Sequence, residues 1–291
     1  MDFKDGVSLL ALCEQNQMKI SDVMREREIS MTDASLEEIN ERMAKALSIM
    51  QAAVHKPLSE PLSSIGGLIG GEASKLRQMR RGGKSICGTI LSKSITHAMA
   101  VLEVNASMGL IVAAPTAGSA GVVPGLLLAL QEEYSLSDEH LIDGLFTAGA
   151  VGYLIMRNAT VAGAQAGCQA EVGAASAMAA AAAVEIMGGT PAQCLNAAST
   201  AIMNLLGLVC DPIAGLVESP CQSRNAMGVS NALCCAEIAL SGIEQAIPFD
   251  EMVETMYKVG RSIPFELRET ALGGCAATAT GCQKTCQIFH S

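Results

Sequence analysis

Apolar positions in the first sixty residues recur at helical spacing. Ser35-Leu36-Glu37-Glu38 has the form of a capping box, in which the serine hydroxyl and the glutamate carboxylate each satisfy a free backbone N–H at a helix start. Ile39, Met43, Ala46, Leu47 and Met50 follow three or four apart and so share one helical face. Charges of alternating sign fill the positions between, which predicts amphipathic surface helices over residues 2–60. Pro57 and Pro61 interrupt the pattern, and S-S-I-G-G-L-I-G-G-E makes a glycine-rich turn. From about residue 63 the chain changes to small apolar residues. Residues 137–157 form one predicted helix opening near Ser137-Asp138. A-G-C-Q-A-E-V-G then starts a long alanine-rich helix that stops at Gly188-Gly189. Thr190-Pro191-Ala192-Gln193 is a second capping box with proline in the first turn, opening a helix that leads into Cys210. After Asn225 one more helix carries Cys234 and Cys235, and Pro248 and Pro264 punctuate the remainder. The expected fold is all-α, with residues 1–62 packed as amphipathic helices on a helical body of residues 63–291.

Composition sharpens this. Of 291 residues half are hydrophobic, yet only 3% are aromatic and Trp is absent. Small residues let helix backbones approach closely and Met fills the irregular gaps. A net charge of −10 argues against nucleic acid, whose phosphates demand Lys and Arg. Eleven cysteines, an odd number, with no visible secretory signal fit a reducing cytoplasm better than a disulfide framework. The apolar windows at residues 110–130, 145–156 and 172–187 do not suit a membrane. The first holds Pro115 and Pro124, the second is short, and the third is mostly Ala and carries Glu185.

The stretch with most chemistry is residues 210–225, C-D-P-I-A-G-L-V-E-S-P-C-Q-S-R-N. Pro212 and Pro220 bias Asp211 and Ser219 toward extended backbone, and Gly215 permits a reversal between them. Such a loop holds Cys210 and Cys221 stiffly, among Asp211, Glu218, Arg224 and Asn225. Buried charge requires a partner or a metal. The eleven-residue spacing of the two cysteines matches no standard zinc or ferredoxin motif, and ordinary packed cysteines are the plain alternative. Cys168 and Glu171, three apart at a helix start, share a face. Residues 110–125 break an apolar run with Pro115-Thr116, Gly118-Ser119 and Gly121: either a carboxylate cradle or a turn between buried helices. Arg77, Arg80, Arg81 and Lys84 form a basic cluster that lacks Walker A spacing: a solvated helix end or an anion site.

Three segments together, G-C-Q-A-E-V-G at 167–173, the 210–225 stretch and A-P-T-A-G-S-A-G at 114–121, resemble the iron–sulfur-dependent L-serine dehydratases, specifically the alpha chain of the two-subunit form. The likeness runs from about residue 70 to the end and includes E-T-A-L-G-G. It implies a [4Fe-4S] cluster on Cys168, Cys210 and Cys221, with one iron left open as a Lewis acid for the β-hydroxyl of L-serine, and no pyridoxal phosphate. It implies substrate contacts from Thr116, Gly118, Ser119, Asn105, Asn158, Arg224 and Asn225, a general base among His97 and Lys84 or on the partner chain, and a separate beta subunit. Ala170 departs from the expected Gly. A cysteine-rich tail replaces the usual ending, so Cys275, Cys282 or Cys286 is a candidate cap for the open iron at rest. A non-catalytic iron–sulfur electron carrier and a helical membrane or scaffold protein are the rival readings.

Overall fold

The helix starts marked by capping residues in the sequence are helix starts in the computed structural model, which describes residues 1–290. In chain order the helices are α1 (Gly6–Asn16), α2 (Ile20–Thr32), α3 (Leu36–Ser59), α4 (Glu72–Arg81), α5 (Gly88–Ala106), α6 (Val122–Tyr134) and α7 (Asp138–Asn158). They continue with α8 (Gly163–Ala166), α9 (Ala174–Ile186), α10 (Pro191–Asn204), α11 (Cys221–Leu240), α12 (Phe249–Ser262) and α13 (Ala279–His290). The described residues contain no strand, only an isolated bridge between Cys210 and Arg268. The fold is all-α, as the periodicity predicts. No helix among the described residues is long and apolar enough to cross a membrane.

The alanine-rich stretch is the axis. Every residue of α9 from Ala174 to Glu185 is buried, as befits a helix that is apolar all round. Helices α6, α7, α10 and α11 surround it, and α5 packs on α6 and α11. Fully buried Leu126, Leu127, Leu154 and Ile155 hold α6 and α7 inward, each contributing about 1.5–3 kcal/mol. At the α5–α6 crossing even a methyl group is too large. A Cβ on Gly121 would stand 2.2 Å from the Ala98 carbonyl oxygen. One cluster of buried apolar side chains extends from Phe3 to Met256.

Carboxylates from distant parts of the chain close helix starts, where backbone N–H groups lack partners and the helix dipole favours negative charge. Glu185 at the end of α9 accepts the Ile20 and Ser21 N–H groups of α2 at 3.1 and 3.4 Å. Asp250 accepts Gly6 and Val7 of α1 at 2.7 and 3.2 Å. Glu103 accepts Ala73 of α4 at 2.9 Å. Buried acids in so apolar a chain therefore have structural work.

Three boundaries differ from the periodicity. Helix α3 runs through Pro57 to Ser59, because Pro57 and Leu58 are buried and that packing carries the last turn past the proline. Helix α10 stops at Asn204, ahead of a turn in which Gly207 takes a left-handed φ of 82°. Helix α11 begins at Cys221 rather than after Asn225. Pro220 precedes its first residue, where a missing N–H costs nothing.

Candidate metal centre

Two loops meet because Gln169 joins them. Its side chain, 1% exposed, accepts the Gly207 N–H at 2.8 Å and donates to the Met256 carbonyl at 2.8 Å, while its backbone N–H donates to Leu208 at 3.0 Å. Gly167 makes the approach possible. Its φ is 75°, and a Cβ there would lie 2.7 Å from the Leu208 carbonyl oxygen. The following residues, Gln169–Gly173, form a π-helical turn leading into α9, an irregularity common at functional sites. Cys210 is fixed from the other side. Its N–H donates to Leu267 at 2.8 Å and its carbonyl accepts the Glu269 N–H at 2.7 Å, within the E-T-A-L-G-G strap.

This brings ligand atoms of Cys168, Glu171 and Cys210 within 4.8 Å of one another. Cys221, buried in the first turn of α11, stands outside that group but within electrostatic reach of it. Burial pushes its thiol up to about 12, with the charges of Cys168 and Glu171 adding to the effect. Cys168 goes the other way. A hydrogen bond from the Cys210 thiol and the nearby Arg224 guanidinium hold it below the ordinary thiol range, and the same bond keeps the proton on Cys210. Arg224 Nη1 lies 3.5 Å from Cys168 Sγ and 2.8 Å from the Val209 carbonyl. Its Nη2 pairs with Asp211 at 2.7 Å, and Asp211 in turn accepts the Cys275 N–H at 2.6 Å. Metal ligation requires thiolate, so a cation beside a buried thiol favours it.

Glycines allow the chain to pack closely against the thiols and Glu171. A Cβ on Gly163 would meet Glu171 Oε2 at 2.5 Å and Cys210 Sγ at 3.2 Å, and one on Gly118 would meet Glu171 Oε1 at 3.3 Å. The Thr116 hydroxyl donates to Glu171 Oε1 at 2.7 Å and lies 3.1 Å from the Ser119 hydroxyl. Adjacent sulfur donors and a cation that favours thiolate suit a thiolate-bound iron centre.

A family model described as serine dehydratase alpha chain matches residues 15–276. The chain is 50% identical over 287 residues to the probable L-serine dehydratase alpha chain of Bacillus subtilis, covering 99% of this chain and 95% of that one. It is 46% identical over 273 residues to the L-serine dehydratase alpha chain of Peptoniphilus asaccharolyticus, covering 94% of each. The chain belongs to the serine dehydratase alpha-chain family. The L-serine dehydratase of Streptomyces coelicolor is 36% identical over 285 residues, which is 96% of this chain but 62% of that longer protein.

Within this family chain the remaining candidates fall in different places. Thr116 and Gly118 lie against Glu171, with Ser119 bonded to Thr116. Asn225 is buried, accepts the Gly121 N–H at 3.0 Å and donates to the Gly118 and Cys221 carbonyls at 2.7 and 2.9 Å. It locks the 116–121 turn to α11. Asn105 is half-buried in the last turn of α5. Asn158 gives its amide to the Lys4 and Leu154 carbonyls. His97, 2% exposed, faces Glu132 at 3.4 Å, and burial together with His55, Arg80 and Lys93 takes it down to about 3. Lys84 is exposed ahead of the first turn of α5, whereas Glu103 and Asn105 are in its last turn. A helix of that length spans about 28 Å. Cys275 is half-buried, the Cys282 thiol turns to the Ala276 carbonyl at 3.7 Å, and Cys286 is exposed.

Glu218 forms no salt bridge among the described residues. It accepts the Ser64 hydroxyl at 2.6 Å and the Gly66 and Leu68 N–H groups at 2.6 and 2.9 Å, fixing the glycine-rich turn to the cysteine loop. Pattern reading passed over Gln169 and Glu269 altogether. Glu269, in the strap, acts electrostatically on Glu171, Cys210 and Cys221. Its place in E-T-A-L-G-G was the available signal, whereas nothing marks Gln169 beyond its position after Cys168.

Proposed function

We propose that this chain is the catalytic alpha subunit of a cytoplasmic L-serine ammonia-lyase, converting L-serine to pyruvate and ammonia without pyridoxal phosphate and working with a beta chain. The observation that carries the reading is the convergence of Cys168, Glu171 and Cys210 around an arginine-supported thiolate in a chain of this family. The proposed cofactor is a [4Fe-4S] cluster held by Cys168, Cys210 and Cys221. When bound, it supplies a Lewis acid that offsets charge developing on the β-hydroxyl as water leaves.

The protein's own groups have the following roles. Arg224 favours thiolate at Cys168 and is itself oriented by Asp211. Its guanidinium is therefore engaged in supporting the centre, and the serine carboxylate is assigned instead to the turn of Thr116, Gly118 and Ser119. Asn225 and Glu218 hold the turns on either side of the cysteine loop. Asn105 and Asn158 are retained as more remote contacts. Loss of the Cα proton and of hydroxide gives 2-aminoacrylate, which tautomerises to an imine and hydrolyses to pyruvate and ammonia. With His97 engaged by Glu132 and Lys84 exposed ahead of α5, the proton acceptor is assigned to the beta chain.

The test is anaerobic reconstitution with iron and sulfide, with and without a beta chain. Pyruvate release from L-serine is expected to survive removal of pyridoxal phosphate, to stop on iron chelation, and to need the beta chain for full rate. A reversible redox couple with no turnover of hydroxy amino acids would establish the electron-carrier reading instead.

A further inference from the structure

Glu171 is a partly buried carboxylate without a cation. No Lys, Arg or His pairs with it among the described residues, whereas Asp211 nearby has Arg224. Its two oxygens have different surroundings. Oε1 takes the Thr116 hydroxyl at 2.7 Å, which fixes the side chain. Oε2 packs against Gly163 and faces the Cys210 thiol at 3.8 Å. A buried carboxyl group either keeps its proton or takes a positive partner, and a metal ion is a partner that the Cys168 and Cys210 thiols beside it also suit. Iron accepts carboxylate oxygen as well as thiolate.

Resting on the cluster reading above, we infer that Glu171 is the resting ligand of the iron that has no thiolate. Its Oε2 holds that position in the absence of substrate and yields it to the alcohol oxygen of serine, a simple exchange of one oxygen ligand for another. The Thr116 hydroxyl then keeps the displaced carboxylate within the site. The tail cysteines are otherwise engaged or exposed. Cys282 faces its own turn, Cys286 is exposed, and Cys275, close to the site, has both its thiol and its N–H turned to Asp211. Glu171 is already seated among the ligands.

The experiment is Mössbauer and EPR spectroscopy of the anaerobically reconstituted alpha chain, with iron and sulfide quantified. Wild type, Glu171→Gln, Thr116→Val and a combined Cys275→Ala, Cys282→Ala, Cys286→Ala variant are compared. Glu171→Gln is expected to assemble the same iron and sulfide, but with shifted parameters for one iron. On brief exposure to air it is expected to give the three-iron EPR signal at least about tenfold faster. Thr116→Val, which keeps the carboxylate and removes its anchor, is expected to fall between, and it carries the test if Glu171→Gln fails to fold. The tail variant is expected to match wild type. Unchanged spectra and air sensitivity in both Glu171→Gln and Thr116→Val overturn the assignment, as does a tail variant that reproduces the shift. A wild-type chain that takes up no iron overturns the cluster itself.

Discussion

Two places in this molecule put two cysteines beside a glutamate, and only one of them has the features of a reactive centre. Cys168 and Cys210 share theirs with Glu171; Cys13 and Cys194 lie near Glu185. In the second group both thiols are driven up by burial, Cys13 to about 11, with the Glu185 charge adding to the effect and no cation opposing it. In the first, Arg224 and the neighbouring thiol bring Cys168 down. The glutamates differ as well. Glu185 has an oxygen committed to the first turn of α2, and Glu171 keeps one oxygen facing a thiol. Cys13 and Cys194 sit within regular helices, whereas Cys168 and Cys210 sit at a π-turn and a bridged loop. Residue type alone therefore says little; the backbone irregularity and the nearby cation make the difference.

The largest expected effect separates the two groups outright. Cys168→Ala, Cys210→Ala and Cys221→Ala should each lower iron content and pyruvate formation more than about 100-fold. Cys13→Ala and Cys194→Ala should keep both and lose only about 1 kcal/mol in denaturant unfolding. Equal behaviour of all five would erase the distinction. Arg224→Met comes next. It leaves every sulfur in place but removes the cation, so iron retention against a chelator should weaken by about 10–100-fold. Retention equal to wild type would mean that the guanidinium serves Asp211 rather than the thiolate.

How much of this the sequence carries depends on whether a local rule operates. Capping boxes at Ser35 and Thr190 mark helix starts because the chemistry is complete within four residues, and the alanine run identifies a buried axis for the same reason. Gly215, with φ of 71°, makes the reversal expected of it. The Cys210–Asp211–Arg224 grouping was legible because those residues lie in one short stretch. The strap that holds Cys210 was not, since Leu267 and Glu269 bond to it through main-chain atoms from far along the chain. Likewise nothing in a helical pattern places His97 against Glu132.

Gln169→Ala sharpens the comparison at its structural root. The side chain closes one bond to Gly207 and one to Met256 in a buried place, so its loss should cost about 1–3 kcal/mol in denaturant unfolding. Because the two loops then separate, iron affinity should fall as well. An equal loss of stability at Gln193, which caps α10 and donates to Ala239 far from the centre, should leave iron binding unchanged. A Gln169→Ala chain that is destabilised but binds iron normally would show that the loops are held together by other contacts.

The smallest effect lies in the core group and is a matter of sign. Burial raises Glu185 above its ordinary value of 4.5, opposed by Ser21, Thr147 and Lys19 around it. Between that value and the raised one, the folded chain keeps a proton that the unfolded chain has lost. The proton's contribution to stability is complete below pH 4.5 and disappears as pH rises through the raised value, with a slope of at most about 1.4 kcal/mol per pH unit. Glu185→Gln has no proton to lose and retains a carbonyl oxygen for the Ile20 N–H. Its unfolding free energy should therefore gain on wild type as pH rises above 4.5, then run parallel once Glu185 is ionised in both states. Parallel curves across the whole range would mean that the α2 N–H groups fully offset burial. Glu185 would then be as much at ease with its charge as a surface acid, and the core group would owe its inertness to missing access alone.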